Sequence, residues 1–357
     1  MKFVVLWPWK FAALQVRMYI ACHLGNSRKY SSIMVMNGFG ANHDSSNRSC
    51  YQPLSNSNLE TLALVFGSLG VAAFFLCCVA IGSIVYWKAY KRISHRLVLW
   101  LMISTLFVSA VIALELLVVK FENGPDVEQL CKVIGVFLEY AIWTKLLFTF
   151  WINFHLFLLT VLQRMYGWLE FVYVLSSLAI PATFFWVPLL HDAYGLAGGW
   201  CWIRAMDDQC KELKAGVVEQ FALWYGPVML FTVVDVSMMI IMASVLFKRA
   251  CCGGNKEDSD PLLPKPRHGV ALKETLPLIT YPVTYHILCA VGFANRIEMA
   301  VTHRPVYGLW LSHAIAISSW GVFASGFVVM HMCILRKHTR ENAYANSDTE
   351  FLVSFDD

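Results

Sequence analysis

The sequence has 357 residues, of which 58% are hydrophobic and 15% are charged, and its formal net charge is +4. Soluble domains carry about 25% charged residues, so this composition excludes an ordinary soluble domain. The net charge is too small to indicate nucleic-acid binding. Apolar runs of about 20 residues or more recur along the chain, and such runs are long enough to cross a bilayer as helices. The sequence therefore predicts an all-α bundle whose solvent is the lipid bilayer.

The N-terminal segment, residues 1–60, precedes the predicted bundle. Its first part, residues 1–33, is apolar but interrupted by basic residues, so it fits either a signal peptide or an extension ahead of a start at Met34 or Met36. The polar part that follows contains Asn47 in an Asn-x-Ser pattern. We predict glycosylation of Asn47 if this end of the chain is extracellular.

Seven apolar segments follow, and together they predict a seven-transmembrane-helix bundle over residues 61–335 with a short tail at 336–357. The predicted spans are 61–87, 96–119, 131–162, 169–190, 219–247, 276–301 and 308–335. Pro227 near the outer part of span five, and Pro277 and Pro282 near the inner part of span six, predict kinks, because proline cannot donate a helix hydrogen bond.

Basic residues fix the predicted orientation of the bundle. They concentrate in the loops after spans one, three and five and after span seven, whereas the other loops are richer in acids. Cytoplasmic loops carry an excess of Lys and Arg. We therefore expect the N-terminus to be extracellular and the C-terminus to be cytoplasmic.

This orientation sorts the cysteines by redox compartment. Four of them fall outside, where disulfides persist: Cys50, Cys131, Cys201 and Cys210. A bridge between Cys131 and Cys201 would tie the aromatic loop 199–203 to the start of span three. A second bridge, between Cys50 and Cys210, is an alternative that the sequence leaves undecided. On the cytoplasmic side Cys251 and Cys252 follow the end of span five, where they fit either palmitoylation or a pair of reduced thiols.

Ionisable side chains within apolar spans are candidates for function, because they are costly in lipid and usually face the bundle interior or a water-filled cavity. Span three carries Glu139 and Lys145, and Lys145 lies roughly 21 Å along the helix from Cys131 at 1.5 Å per residue. Lys145 could contact an anionic ligand, or it could form an internal ion pair with Glu139 or Glu115. Span five carries Asp235, which we expect to be a satisfied interior polar group.

The outer end of span six carries Arg296, whose planar guanidinium suits a carboxylate or a phosphate. Its alternatives are an ion pair with Glu298 or with an acid of a neighbouring loop. Trp200 and Trp202 flank Cys201 and could present an apolar body and a polar N–H at the same rim. No pair of histidines in the last two spans shows the helix-face spacing of a metal site, so we predict no metal.

Three motifs together resemble a known family: Gly199-Trp200-Cys201-Trp202-Ile203, Phe221-Ala222-Leu223-Trp224-Tyr225-Gly226-Pro227 and Asn295-Arg296-Ile297. They resemble the second outer loop, the fifth helix and the sixth helix of the cyclic-AMP-receptor-like G-protein-coupled receptors, a group that includes slime-mould cyclic AMP receptors and related plant and animal orphan receptors. The resemblance covers roughly residues 60–335. The sequence has no Asp-Arg-Tyr at the end of span three and no Asn-Pro-x-x-Tyr in span seven, which argues against a rhodopsin-type receptor.

The resemblance implies a seven-helix receptor at the plasma membrane, with Cys201 bonded to Cys131. It also implies coupling to a heterotrimeric G protein through the inner loops. The corresponding basic residues are Lys91, Arg92, Arg96, Arg164, Lys248, Arg249 and Lys273. The expected ligand is extracellular, small and anionic, and cyclic AMP is not carried over. The ligand-binding candidates are Glu139, Lys145, Trp200, Trp202, Tyr225 and Arg296.

Other functional classes have weaker support in the sequence. A transporter or channel could use Glu139, Lys145 and Asp235 as a path, but the two halves of the chain show no repeated motif. A retinal protein needs a lysine for its Schiff base, normally in the last span, and span seven has none. The sequence has no nucleophile elbow, P-loop or zinc-protease helix, so we predict neither enzymatic activity nor a cofactor.

Overall fold

The computed structural model describes residues 56–120, 125–163, 167–205, 213–252, 276–302 and 306–353. Within these ranges seven helices are long and apolar enough to cross a membrane. The seven predicted spans are therefore confirmed as helices, and the chain is a multi-pass membrane protein. The membrane-spanning parts of these helices begin and end within about five residues of the predicted boundaries.

The helices are labelled in chain order. The first four are α1 (Asn56–Tyr86), α2 (Ile93–Lys120), α3 (Pro125–Phe157, continued by a π-helical turn at Leu158–Leu162) and α4 (Leu169–Ala182, followed by a 3-10 turn at Val187–His191). Helix α5 has three parts, which are Lys214–Glu219, the π-helical Gln220–Tyr225 and Gly226–Cys252. The last two are α6 (Thr280–Thr302, after a 3-10 turn at Leu276–Ile279) and α7 (Tyr307–Val353). The backbone of α7 thus continues through most of the predicted tail 336–357.

Helix α3 lies at the centre of the bundle. It packs against α2, α4, α5 and α6, while α1 packs against α2 and α7. Its buried side chains include Trp143, Leu146 and Thr149, whereas the outer faces of other helices expose large apolar side chains such as Phe171 and Ile240. Apolar outer faces suit lipid, and helices satisfy their own backbone hydrogen bonds there.

Helix α5 is irregular where its sequence contains proline. Pro227 has no N–H to donate to the carbonyl of Leu223, and the preceding turn widens into the π-helical segment Gln220–Tyr225. The Leu223 carbonyl accepts a hydrogen bond from Trp143 Nε1 of α3 at 2.9 Å instead. In span six, Pro277 and Pro282 lie in the 3-10 turn and the first turn of α6, so they begin the helix rather than bend its interior.

A short β-hairpin interrupts the helical pattern between α4 and α5. Strands β1 (Tyr194–Leu196) and β2 (Cys201–Ile203) are antiparallel, with Gly195 opposite Trp202. Gly198 turns the chain between them with φ +99°, a conformation that favours glycine. The all-α prediction therefore missed this hairpin. Strands of three residues are too short to show the alternation of apolar and polar residues that predicts a strand.

Candidate functional site

The hairpin is fastened to three helices. A disulfide between Cys131 and Cys201 ties β2 to α3, which confirms the predicted bridge. The backbone N–H of Cys201 donates to both carboxylate oxygens of Glu115 on α2, at 3.0 and 3.2 Å. Gln220 on α5 donates from Nε2 to the carbonyl of Ile203 at 2.6 Å. We call the end of the bundle that carries this structure the hairpin end.

Charged and polar side chains hold the edge of the hairpin. Asp192 forms ion pairs with Lys132 of α3 at 2.9 Å and with Arg204 at 3.2 Å. Asp192 is largely exposed, so these pairs add little stability. Tyr194 is buried, and its hydroxyl donates to the carbonyl of Phe185 at 2.7 Å. Burial raises the pKa of the Tyr194 phenol far above its usual value, so Tyr194 remains a neutral donor.

Glu139 holds two indole rings behind the hairpin. Trp202 Nε1 donates to Glu139 Oε2 at 2.6 Å, and Trp143 Nε1 donates to Glu139 Oε1 at 3.1 Å. The Glu139 side chain is 0% exposed. Both carboxylate oxygens therefore have donors, and Glu139 fixes the position of Trp202 instead of facing open space.

A cavity lies directly beneath the hairpin. It encloses about 770 Å³ of space counted out to its open mouth, open solvent included. Trp200 and Trp202 of the hairpin line it together with residues of α1, α3, α5, α6 and α7. Most of the lining is aromatic or aliphatic. Among the residues that the structure describes, Lys145 and Arg296 are its charged lining residues, and no carboxylate side chain lines it.

Lys145 lies in the lining of this cavity on α3. Its side chain is 4% exposed, and Nζ lies 5.6 Å from the ring centroid of Tyr285 on α6. The ion pairs among the described residues do not include Lys145. The alternative of an ion pair with Glu139 or Glu115 is therefore not found, because those carboxylates accept hydrogen bonds from the indoles and from the Cys201 backbone.

Arg296 on α6 lies in an aromatic box. Its guanidinium carbon is 5.8 Å from the ring centroid of Trp202, 5.7 Å from that of Tyr225 and 5.6 Å from that of Trp310. Nε donates to the Tyr225 hydroxyl at 2.7 Å, whereas Nη2 is buried without a hydrogen-bond partner. Within the described ranges, Arg296 forms no ion pair with Glu298 or with any other acid. The rings stabilise the cation while leaving one N–H group unused.

A polar tie joins three helices near the Tyr285 side of the cavity. Asp235 of α5 is 0% exposed, and its Oδ1 accepts from Asn153 Nδ2 of α3 at 2.8 Å. Its Oδ2 lies 2.9 Å from Nε2 of His286 on α6. His286 Nδ1 in turn lies 3.2 Å from the hydroxyl of Thr232. Both carboxylate oxygens of Asp235 thus have partners, as the sequence led us to expect.

Comparison with known proteins adds no family to these observations. No family model matches the chain, and no curated protein matches it. The functional interpretation therefore depends on the geometry of the cavity and on the motifs in the sequence.

The structure brings together five of the six predicted ligand-binding residues. Those that line the cavity are Lys145, Trp200, Trp202, Tyr225 and Arg296. The sixth, Glu139, lies behind Trp202 as a positioning residue.

Some cavity residues and one support of the hairpin were not predicted. The missed lining residues include Tyr285, His313 and Trp320. His313 Nδ1 lies 3.1 Å from Asn295 Nδ2, which keeps this polar ring in place on α7. Glu115 was considered only as a partner of Lys145, and its role in holding the hairpin was missed. The available signal was a lone buried carboxylate in an apolar span, which needs hydrogen-bond donors wherever it lies.

Those predicted G-protein-coupling residues that the structure describes lie at the end of the bundle opposite the hairpin. Lys91, Arg92 and Lys248 are exposed. Arg96 instead pairs with Glu170 of α4 through Nε and Nη2, at distances of 2.6 to 2.9 Å. Arg96 therefore joins α2 to α4.

Several predicted sites fall outside what the structure describes. Residues that lie outside the described ranges are Asn47, Cys50, Arg164, Cys210 and Lys273. The side chains of Arg249, Cys251 and Cys252 are likewise undescribed, although their backbone belongs to α5. Across the described ranges, no group of three His, Cys, Asp or Glu side chains could hold a metal ion.

Proposed function

We propose that this protein is a plasma-membrane receptor that binds a small anionic extracellular ligand in the cavity beneath the hairpin and activates a heterotrimeric G protein. The observation that carries the proposal is the pair of buried cations in one apolar cavity. Lys145 and Arg296 both line it, and neither has an acidic partner among the described residues. Buried charges are normally paired, so a cavity of this kind suits an anion brought by a ligand.

The hairpin end is the extracellular end in this proposal. The Cys131–Cys201 bridge supports this orientation, because disulfides persist in oxidising compartments and are rare in the cytosol. The excess of basic residues in the opposite loops supports the same orientation. The exposed Lys91, Arg92 and Lys248 would then face the cytoplasm, where they could contact the G protein.

The polar tie offers a route from ligand to G protein. Helix α6 lines the cavity through Tyr285, and the next residue, His286, contacts Asp235 of α5. Asp235 also contacts Asn153 of α3. A ligand that favours a different position of α6 would strain or break this tie and shift the population of bundle conformations. The receptor would thus signal by repacking α3, α5 and α6.

The arrangement of the buried charges favours a receptor over a transporter or channel. The alternative path required Glu139, Lys145 and Asp235 to face one channel, yet Lys145 lines the cavity while Glu139 and Asp235 do not. Both carboxylates are fully buried and accept hydrogen bonds from neighbouring helices or the hairpin. The resemblance of the Trp-Cys-Trp and Asn-Arg-Ile motifs to the cyclic-AMP-receptor-like family supports the same choice.

The proposal is tested by expressing the full chain in cells and measuring second-messenger responses with each class of Gα subunit. Surface delivery is measured in parallel by labelling an epitope at the N-terminus of intact cells. We expect ligand-independent activation of at least one class, and a lower signal when Lys91 and Lys248 are both changed to Glu. Normal surface delivery with no activation of any class would contradict the proposal.

A further inference from the structure

One face of α6 lines the cavity over about half of the helix, from Tyr285 to Arg296. The lining positions on this helix are Tyr285, Leu288, Cys289, Gly292, Phe293 and Arg296, which follow one another at spacings of three, one, three, one and three residues. Such positions share a single helix face. Tyr285 and Arg296 are eleven residues apart, so their Cα atoms are separated by roughly 16 Å along the helix axis at 1.5 Å per residue. The cavity is therefore elongated along α6.

The two cations lie toward opposite ends of this face. The ammonium of Lys145 contacts the Tyr285 ring, at the end nearer the polar tie. The guanidinium of Arg296 lies at the other end, between the rings of Trp202 and Trp310. Because the α6 residues that they contact lie about three helix turns apart, two separate acid groups suit these two cations better than one.

The stretch between the cations is mostly apolar, apart from the His313 ring of α7, which lies against Gly292. Leu288 and Phe293 line it from α6, and Ile142 lines it from α3. A ligand with one acid group would neutralise one cation and leave the other buried in this surrounding without a counter-ion. Burial of an unpaired charge is costly, so occupancy by two anionic groups is favoured over occupancy by one.

We propose that the cavity takes an elongated dianion, with acid groups at both ends of an apolar or aromatic body. One acid group pairs with Lys145 Nζ, and the other accepts from the unpartnered Nη2 of Arg296. The flat guanidinium suits a carboxylate or a phosphate, while the ammonium acts as a point charge. The inference names the ligand class of the site in the proposed function, and it rests on that proposal only for the assignment of the cavity as the ligand site.

The test uses the purified full chain in lipid nanodiscs and measures binding by calorimetry and by the rise in unfolding temperature. The probes are α,ω-dicarboxylic acids and α,ω-bisphosphonates of graded length, the monocarboxylic acids of the same lengths, and the dimethyl esters of the diacids. We expect binding to peak at one diacid length, with weaker binding of the monoacid and no binding of the ester. The dicarboxylates and bisphosphonates show which acid group the site prefers.

Variants assign the two ends of the ligand. Lys145→Gln and Arg296→Gln should each weaken binding of the best diacid about tenfold to a hundredfold, the effect of losing one hydrogen bond to a charged group, and should leave monoacid binding less affected. Lys132→Gln is the matched control, because Lys132 lies on the same helix but pairs with Glu128 and Asp192 away from the cavity. It should not change diacid binding.

Several results would overturn the inference. They are equal binding of monoacids and diacids, equal binding of esters, absence of a preferred length, and no binding of any diacid. All of these outcomes are measured with the length series on the unaltered protein, so they can be decided even if a variant fails to fold. Since no G protein is needed, diacid binding without G-protein activation would contradict only the proposed receptor function, and activation without diacid binding would contradict only the ligand class.

Discussion

Glu115 provides the sharpest test of how the hairpin is held over the cavity. We predict that Glu115→Ala lets the hairpin open locally while the bundle stays folded. The change removes the acceptor for the Cys201 N–H, which is bonded at 3.0 and 3.2 Å to the two carboxylate oxygens. Cys201 is fully buried, so no water replaces that acceptor without rearrangement.

The size of the effect follows from this single contact. Leaving the buried Cys201 N–H without an acceptor costs about 1 to 3 kcal/mol, and a loss of that size changes an opening equilibrium on the order of tenfold to a hundredfold. The disulfide to Cys131 and the Gln220 contact with Ile203 stay in place, so the hairpin should open without leaving the bundle. Glu115→Gln should have a smaller effect, because its amide oxygen can still accept from the Cys201 N–H.

The assay is hydrogen exchange read by mass spectrometry on peptides that cover the hairpin. We expect the hairpin amides to exchange about tenfold to a hundredfold faster in Glu115→Ala, with little change in peptides from α7. Glu128→Ala is the matched control, since Glu128 is half exposed and its pair with Lys132 contributes little. Hairpin exchange in Glu115→Ala as slow as in the unaltered protein would show that the Glu115 carboxyl does not hold the hairpin in place.

Three further predictions concern the turn, the bridge and the polar tie. Gly198→Ala should strongly reduce the yield of folded protein on size-exclusion chromatography, because the φ of +99° is strained for alanine and the new Cβ would overlap the Trp310 ring; a normal yield would contradict the turn geometry. Cys201→Ser should lower surface delivery measured on intact cells. Unchanged delivery and an unchanged response would show that the protein folds and signals without the bridge. Asp235→Ala should raise basal G-protein activation about tenfold if the tie with Asn153 and His286 contributes about 1.5 kcal/mol to the inactive packing; unchanged basal activity at equal surface delivery would show that the tie does not hold the inactive state.

The seven spans could be predicted because length and hydrophobicity alone decide which segments suit a bilayer. The cavity was partly predictable for a related reason. Lys145 and Arg296 are costly in apolar surroundings, so their presence in the spans marked them as candidates before their neighbours were known. Trp200 and Trp202 were marked by their position on either side of Cys201.

The remaining features depend on packing, which the sequence alone does not specify. Tyr285 and Leu288 look like any lipid-facing residues, because a helix in lipid has no polar outer face to contrast with its inner one. The separate partners of Glu139 and Glu115 depend on how α2, α3 and the hairpin meet. Their spacing along the sequence did not indicate that the indole and backbone N–H donors, and not Lys145, would be the partners of Glu139 and Glu115.

The most direct test of the receptor proposal measures nucleotide exchange and solute flux on the same reconstituted vesicles. Purified G proteins are added to the outside of vesicles that hold the full chain, and release of a trapped dye or proton load is followed in the same samples. The proposal predicts faster exchange on at least one class of Gα subunit and no flux above that of empty vesicles. Flux that is lost in Lys145→Ala, with no acceleration of exchange on any Gα subunit, would contradict it.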